Sequence, residues 1–115
     1  MPIVRHESSA IYAKVTVANG FVFTAGIIPT DLSRDVAGQT AEVLAEIDRL
    51  LALAGADKSK VVQATIWLND IRHRDAMNGA WSAWVGGKDA PARACVEAKL
   101  IDPRMLVEIS VVAAK

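Results

Sequence analysis

Lys14-Val15-Thr16-Val17-Ala18-Asn19-Gly20-Phe21-Val22-Phe23-Thr24-Ala25 reads as two strands folded back on one another. Valine, threonine and phenylalanine carry branched or aromatic side chains that pack well on a pleated surface. Asn19-Gly20 is the pair best able to take positive φ at both central positions of a type I′ turn, whose twist matches that of the strands it joins. The pattern predicts antiparallel strands over residues 13–18 and 21–25, with a first strand over 2–6.

Outward from this hairpin the period changes. Residues 26–37, with Gly26, Pro29 and the polar run from Thr30 to Asp35, read as a loop. A helix is expected over about 38–54: Val43, Leu44, Ile47, Leu50, Leu51 and Ala54 recur at helical spacing, Glu42, Glu46, Asp48 and Arg49 lie off that stripe, and Gly55 suits the left-handed residue that ends a helix. A strand is expected over 61–69, with Val62, Ala64, Ile66 and Leu68 on one face and Val61, Gln63, Thr65 and Trp67 on the other. A second helix over about 73–85 carries Ala76, Met77, Ala80, Trp81, Trp84 and Val85 on one side and stops at Gly86-Gly87. Strands over 92–99 and 106–113 flank a turn at Asp102-Pro103. The order β-ββ-α-β-α-ββ predicts a single α+β domain, residues 1–115, with one sheet and two helices on one of its faces. The other face is partly apolar, so a second copy of the chain is its expected cover.

Composition narrows the function. Thirteen basic and thirteen acidic residues leave no net charge, against the basic excess that nucleic-acid binding or an electrostatic membrane anchor needs. No apolar run approaches the roughly 20 residues of a membrane-spanning helix. With Cys95 the only cysteine, an intrachain disulfide and a multi-cysteine zinc site are excluded, and a cytoplasmic location is expected. His6 and His73 are far apart, lack metal-ligand spacing and read as surface residues. Phosphate-loop, dinucleotide, nucleophile-elbow and HExxH motifs are absent from the sequence.

The final two strands carry the candidate chemistry. Paired as a hairpin through Ile101-Asp102-Pro103-Arg104, they would put Arg93, Cys95 and Glu97 on the same face as Glu108, the face without helices. Arg93 reads either as a solvated surface arginine or as a planar clamp for a carboxylate. Glu108 reads either as its salt-bridge partner or as a general base that holds water. Cys95 reads as a buried thiol, with no histidine near it in sequence to activate it. Trp81 and Trp84 read as core anchors, Asn78 as a polar helix residue, and Tyr12 as core or site.

Ala90-Pro91-Ala92-Arg93-Ala94-Cys95-Val96-Glu97, followed by Val107-Glu108-Ile109, resembles the signature of the RidA/YjgF family of reactive enamine/imine deaminases. Tyr12, Phe23-Thr24-Ala25-Gly26-Ile27-Ile28-Pro29, Gln39-Thr40 and Met77-Asn78 agree with it in order, and the Trp-x-x-Trp helix is most similar to the YoaB-type branch. The resemblance implies a chorismate-mutase-like fold and a homotrimer whose three sheets line a barrel, with a ligand site in each subunit cleft. It implies hydrolysis of 2-aminoacrylate-type enamines, through their imines, to 2-oxo acids and ammonia, without cofactor or metal. The expected partner is a small carboxylate-bearing metabolite. By the same resemblance Arg93 would clamp the carboxylate and Glu108 would hold the attacking water. Tyr12 would help position substrate or assist departure of ammonia, and Cys95, Ala25, Gly26 and Asn78 would contact substrate. Ala25-Gly26-Ile27 stands where deaminating relatives have Ser-Gly-Gln, which removes a hydroxyl and is expected to make the pocket more apolar. The alternatives are a non-catalytic carboxylate-binding trimer, acting as sensor or chaperone, and a ribonuclease or translation inhibitor, which zero net charge disfavours.

Overall fold

Asn19 and Gly20 both take positive φ, 53° and 78°, and Ala18 pairs with Phe21 across them, so the expected two-residue turn is formed. In the computed structural model, which describes residues 2–115, this hairpin joins strands β2 (Ala13–Ala18) and β3 (Phe21–Thr24). Strand β1 (Val4–Ser8) begins two residues later than expected and is antiparallel to β2. Helix α1 (Val36–Leu53) starts two residues early because the Asp35 side chain accepts the Gly38 N–H and caps it. Strand β4 (Val61–Leu68), helix α2 (Arg74–Val85), strand β5 (Ala92–Glu97) and strand β6 (Val107–Ala114) complete the fold.

The sheet is mixed and six-stranded, in the order β1-β2-β3-β6-β4-β5. The last two strands do not form a hairpin. β6 inserts between β3 and β4, antiparallel to both, while β5 lies outside β4 and parallel to it. α2 supplies the crossover that a parallel pair requires, and the turn at Asp102-Pro103 serves to carry the chain back past the end of β4.

This changes the faces. Directly opposite residues share a face. Trp67 pairs with both Glu108 and Val96, whereas Ala64 pairs with Arg93, Ile66 with Cys95 and Leu68 with Glu97. Arg93, Cys95 and Glu97 therefore point to the helix-covered face and Glu108 to the opposite one, contrary to the hairpin expectation. Under the helices lie Val15, Val22, Ile66, Leu68, Ile109 and Ala113, fully buried with Ile47, Leu50 and Met77 of the helices. Of the stripe expected on β4, Val62 turns outward: the register breaks between Val61 and Gln63, so Val61 faces in and Val62 is 46% exposed. The face without helices shows Phe21, Phe23 and Val96, all exposed, with Trp67 beside Val96. Among the described residues no helix is long and apolar enough to cross a membrane.

Gln39 ties the loops to this frame. It is fully buried on α1, donates to the carbonyls of Arg34 (3.1 Å) and Arg104 (3.0 Å), and accepts from the Leu106 N–H (2.8 Å).

Candidate active site

The expected site residues fall into two groups. The first lies on the sheet edge under α2. Arg93 reaches from β5 toward the helix, where its Nη1 donates to Asn78 Oδ1 at 2.7 Å. Its guanidinium carbon stands 5.4 Å from the centre of the Trp81 ring. One edge of the fork is thereby fixed and the cation is seated over the ring, and the remaining N–H donors have no partner among the described residues. Cys95 is half-buried against the core on the same face. Glu97, which the hairpin expectation set beside Glu108, accepts the Ile71 N–H at 2.9 Å and anchors the turn that leads into α2.

The second group lies at the far ends of β2, β3 and β6. Glu108 presses its carboxylate against Gly26, so that a Cβ at position 26 would meet Oε2 at 2.0 Å. Burial holds the Glu108 carboxyl above its ordinary value, because the ionised form is partly stripped of water. Gly26 also lines a cleft of about 550 Å³ with Tyr12, Lys14, Ile28, Glu42 and Glu46. Tyr12 is exposed at the tip of the β1–β2 connection, held by hydrogen bonds of its backbone to Ser9. Ala25 is half-buried and its N–H donates to the Lys14 carbonyl at 2.9 Å, so that N–H is not free for a ligand. Ile27, expected to make the pocket apolar, lines the cleft; it is 6% exposed and pairs its backbone with Ile109, and its neighbour Ile28 adds a more exposed apolar side chain.

Two cleft residues escaped the sequence reading of a site. Glu42 accepts from the Thr30 N–H, from the Thr30 hydroxyl at 2.8 Å and from the Asp31 N–H at 3.1 Å, cradling the loop that forms the rim. Burial alone would raise its carboxyl, but these donors outweigh burial and hold it below the ordinary value. Lys14 lies 3.7 Å from Glu7 and 3.9 Å from Glu46 at the cleft floor. The Glu42–Thr30 and Lys14–Glu46 contacts join residues distant in sequence, and neither leaves a local pattern beyond the polarity of the helix face. Arg93 and Glu108 form no ion pair: they stand on opposite faces with β4 between their strands.

A mixed sheet backed by two helices, with an open apolar face and a cleft at one end rimmed by charged side chains, defines a small α+β ligand-binding domain. A model of the family described as Endoribonuclease L-PSP matches residues 3–115. A RutC family protein from Haemophilus ducreyi is 41% identical over 97% of this chain and 96% of its own. The RutC family protein YoaB from Escherichia coli K12 is 42% identical over 99% of both chains. The crystal structure of NMB1025, a YjgF family member from Neisseria meningitidis, superposes with a TM-score of 0.96 at 44% identity, covering 100% of this chain and 96% of that one. The chain belongs to the RidA/YjgF family.

Proposed function

We propose that this protein hydrolyses 2-aminoacrylate-type enamines, through their imine tautomers, to 2-oxo acids and ammonia. The observation that carries this reading is the guanidinium of Arg93, held by Asn78 and Trp81 with its other donors unengaged, a form suited to bidentate capture of a carboxylate.

Arg93 and Glu108 are two strands apart and three residues out of step, which separates their Cα atoms by roughly 14 Å, and they occupy opposite faces. One small ligand cannot touch both within a single chain. The site is therefore composed from two copies in a homotrimer, with Arg93, Asn78 and Cys95 of one protomer facing Tyr12, Gly26 and Glu108 of its neighbour. The exposed Phe21, Phe23 and Val96 supply an apolar surface for such an assembly.

Glu108 takes a proton from water as the oxygen bonds to the imine carbon, and the C=N π electrons pass to nitrogen. Glu108 returns that proton to nitrogen to give the carbinolamine. It then takes the hydroxyl proton as the C=O bond forms and passes it to the amino group, so that the C–N bond breaks with its electron pair going to nitrogen and neutral ammonia departs past Tyr12. A carboxyl raised by burial is a stronger proton acceptor than an exposed one. The imine is already electrophilic, so orientation and one polarised water meet the demand.

The test is release of ammonia and 2-oxo acid from freshly generated 2-aminoacrylate, native against Arg93→Ala. A large drop supports the reading and equal rates overturn it. A non-catalytic carboxylate binder is the second reading, favoured by the methyl of Ala25 where deaminating relatives carry a hydroxyl. Calorimetric binding of a 2-oxo acid without any turnover would select it.

A further inference from the structure

We propose that Trp81 is a positioning residue that orients Arg93 for carboxylate capture, the two tryptophans of α2 forming a fixed, tilted pair with Trp81 beneath the guanidinium. This rests on the reading of Arg93 as a carboxylate clamp, but not on deamination.

A free arginine on a strand edge samples many rotamers, and each frozen torsion costs entropy when a ligand binds. Here Nη1 is fixed by Asn78, and the guanidinium carbon lies over the Trp81 ring, 5.4 Å from its centre, where the negative face of the ring attracts a cation. Trp81 cannot turn away. It is 7% exposed, and its ring centre stands 5.3 Å from that of Trp84, tilted by 45°. Trp84 is locked in turn, its indole N–H donating to Asp48 Oδ1 on α1 at 2.9 Å. The order of support runs from Asp48 through Trp84 and Trp81 to Arg93. With one edge bonded to Asn78 and the cation held over Trp81, the fork presents its remaining donors in one direction. Trp81 also shields one face of the cation from water, which strengthens a charge-assisted bond made at the other edge.

The test is equilibrium binding of pyruvate, and of its uncharged amide, measured by calorimetry. Trp81→Phe keeps a ring beneath the cation and is expected to bind pyruvate within about threefold of native, whereas Trp81→Leu weakens it about tenfold and leaves amide binding unchanged. Because Trp81→Leu opens space in the core and can fail to fold, a second measurement changes charge distribution at nearly constant size. Global replacement of tryptophan by a polyfluorinated tryptophan drains the negative face of the ring. It is expected to weaken pyruvate binding several-fold in native protein and to have no such effect in Trp81→Phe. Unchanged pyruvate binding in the fluorinated native protein, or equal losses for pyruvate and its amide in a folded Trp81→Leu, overturns the proposal, as does native protein that does not bind pyruvate. Protein that binds pyruvate with the expected dependence on Trp81 yet releases no ammonia from 2-aminoacrylate leaves Trp81 in its role and removes the deaminase reading alone.

Discussion

The carboxylate of Glu108 occupies the space that a side chain at Gly26 would fill. A Cβ there would stand 2.0 Å from Oε2, 3.0 Å from Cδ and 3.4 Å from Cγ, and no other heavy atom is close enough to be among its nearest neighbours. The glycine is required by the glutamate and not by its own backbone, since Gly26 is not among the glycines of positive φ.

Gly26→Ala should therefore separate activity from stability. The clash falls on the far end of a flexible side chain, which swings aside at little cost. The loss of chain entropy in the unfolded state gives back up to about 1 kcal/mol. The carboxylate, however, leaves its place by more than an ångström, enough to cost about 100-fold in deamination. The expected outcome is a melting temperature within a few degrees of native and a kcat/KM reduced about 100-fold. An active Gly26→Ala protein would mean that Glu108 acts from another position or not at all.

Glu108 also sets a pH dependence. Its folded value is raised by burial above that of the unfolded chain. The protonated form is thus favoured in the folded state, and its stabilising contribution is complete below the unfolded value and lost as pH rises through the folded one. Glu108→Gln should match native stability near pH 3 and exceed it at pH 7, read from urea midpoints at both values. The same shift places the acid limb of the kcat/KM profile above the ordinary glutamate range, and Glu108→Gln should abolish that limb along with the activity. A variant less stable than native at pH 7 would contradict the burial cause.

How far the fold was legible depends on whether its signals are local. Asn19-Gly20 names its own turn, and the stripe from Val43 to Ala54 names its own helix, because both arise from neighbours in sequence. The place of β5 was not legible. Asp102-Pro103 marks a turn but cannot say which strand follows beside which, and a parallel pair joined through α2 has no turn signature. That one misplacement carried Arg93, Cys95 and Glu97 to the wrong face, although Arg93 and Glu108 were themselves readable as the residues of interest. The bulge at Val62 and the reach of Glu42 to Thr30 are set by tertiary packing and leave no trace in periodicity.

Gln39 makes the case in energetic form. Its amide is saturated by two carbonyls and one N–H from loops on either side of α1. Gln39→Leu fills similar volume but leaves the Leu106 N–H and the two carbonyls without their partner in a buried setting, at a cost of about 2–4 kcal/mol. Urea denaturation should show this loss with an unchanged slope. A variant within 0.5 kcal/mol of native, about the size of an ordinary surface substitution, would mean that water replaces the amide.

Glu42 shapes the cleft through its three donors rather than by touching substrate. Its carboxyl lies below the ordinary value in the folded chain, so its contribution is present above the unfolded value and lost as pH falls through the folded one. Glu42→Gln keeps one acceptor oxygen but gives up the charge, and should cost about 1 kcal/mol at pH 7 after solvent screening. That difference should shrink as pH falls below the ordinary glutamate range and the native carboxyl protonates. If the loop shapes the site, KM for 2-aminoacrylate rises more than kcat falls; a stability loss with unchanged kinetics would confine Glu42 to holding the rim.

The strongest check on a site shared between copies is complementation. Arg93→Ala and Glu108→Gln should each be inactive alone. In a cyclic trimer, a site that draws Arg93 from one copy and Glu108 from the next is intact wherever a Glu108→Gln subunit supplies the arginine and an Arg93→Ala subunit supplies the glutamate. Random equal mixing meets that condition at about one quarter of the interfaces. Co-refolding the two inactive proteins should then restore about a quarter of native activity per site, and mixing without subunit exchange should restore none. If both residues came from one chain, every site in every mixed trimer would lack one of them, and co-refolding would return nothing. The opposite faces of Arg93 and Glu108, with β4 between their strands, argue for the first outcome.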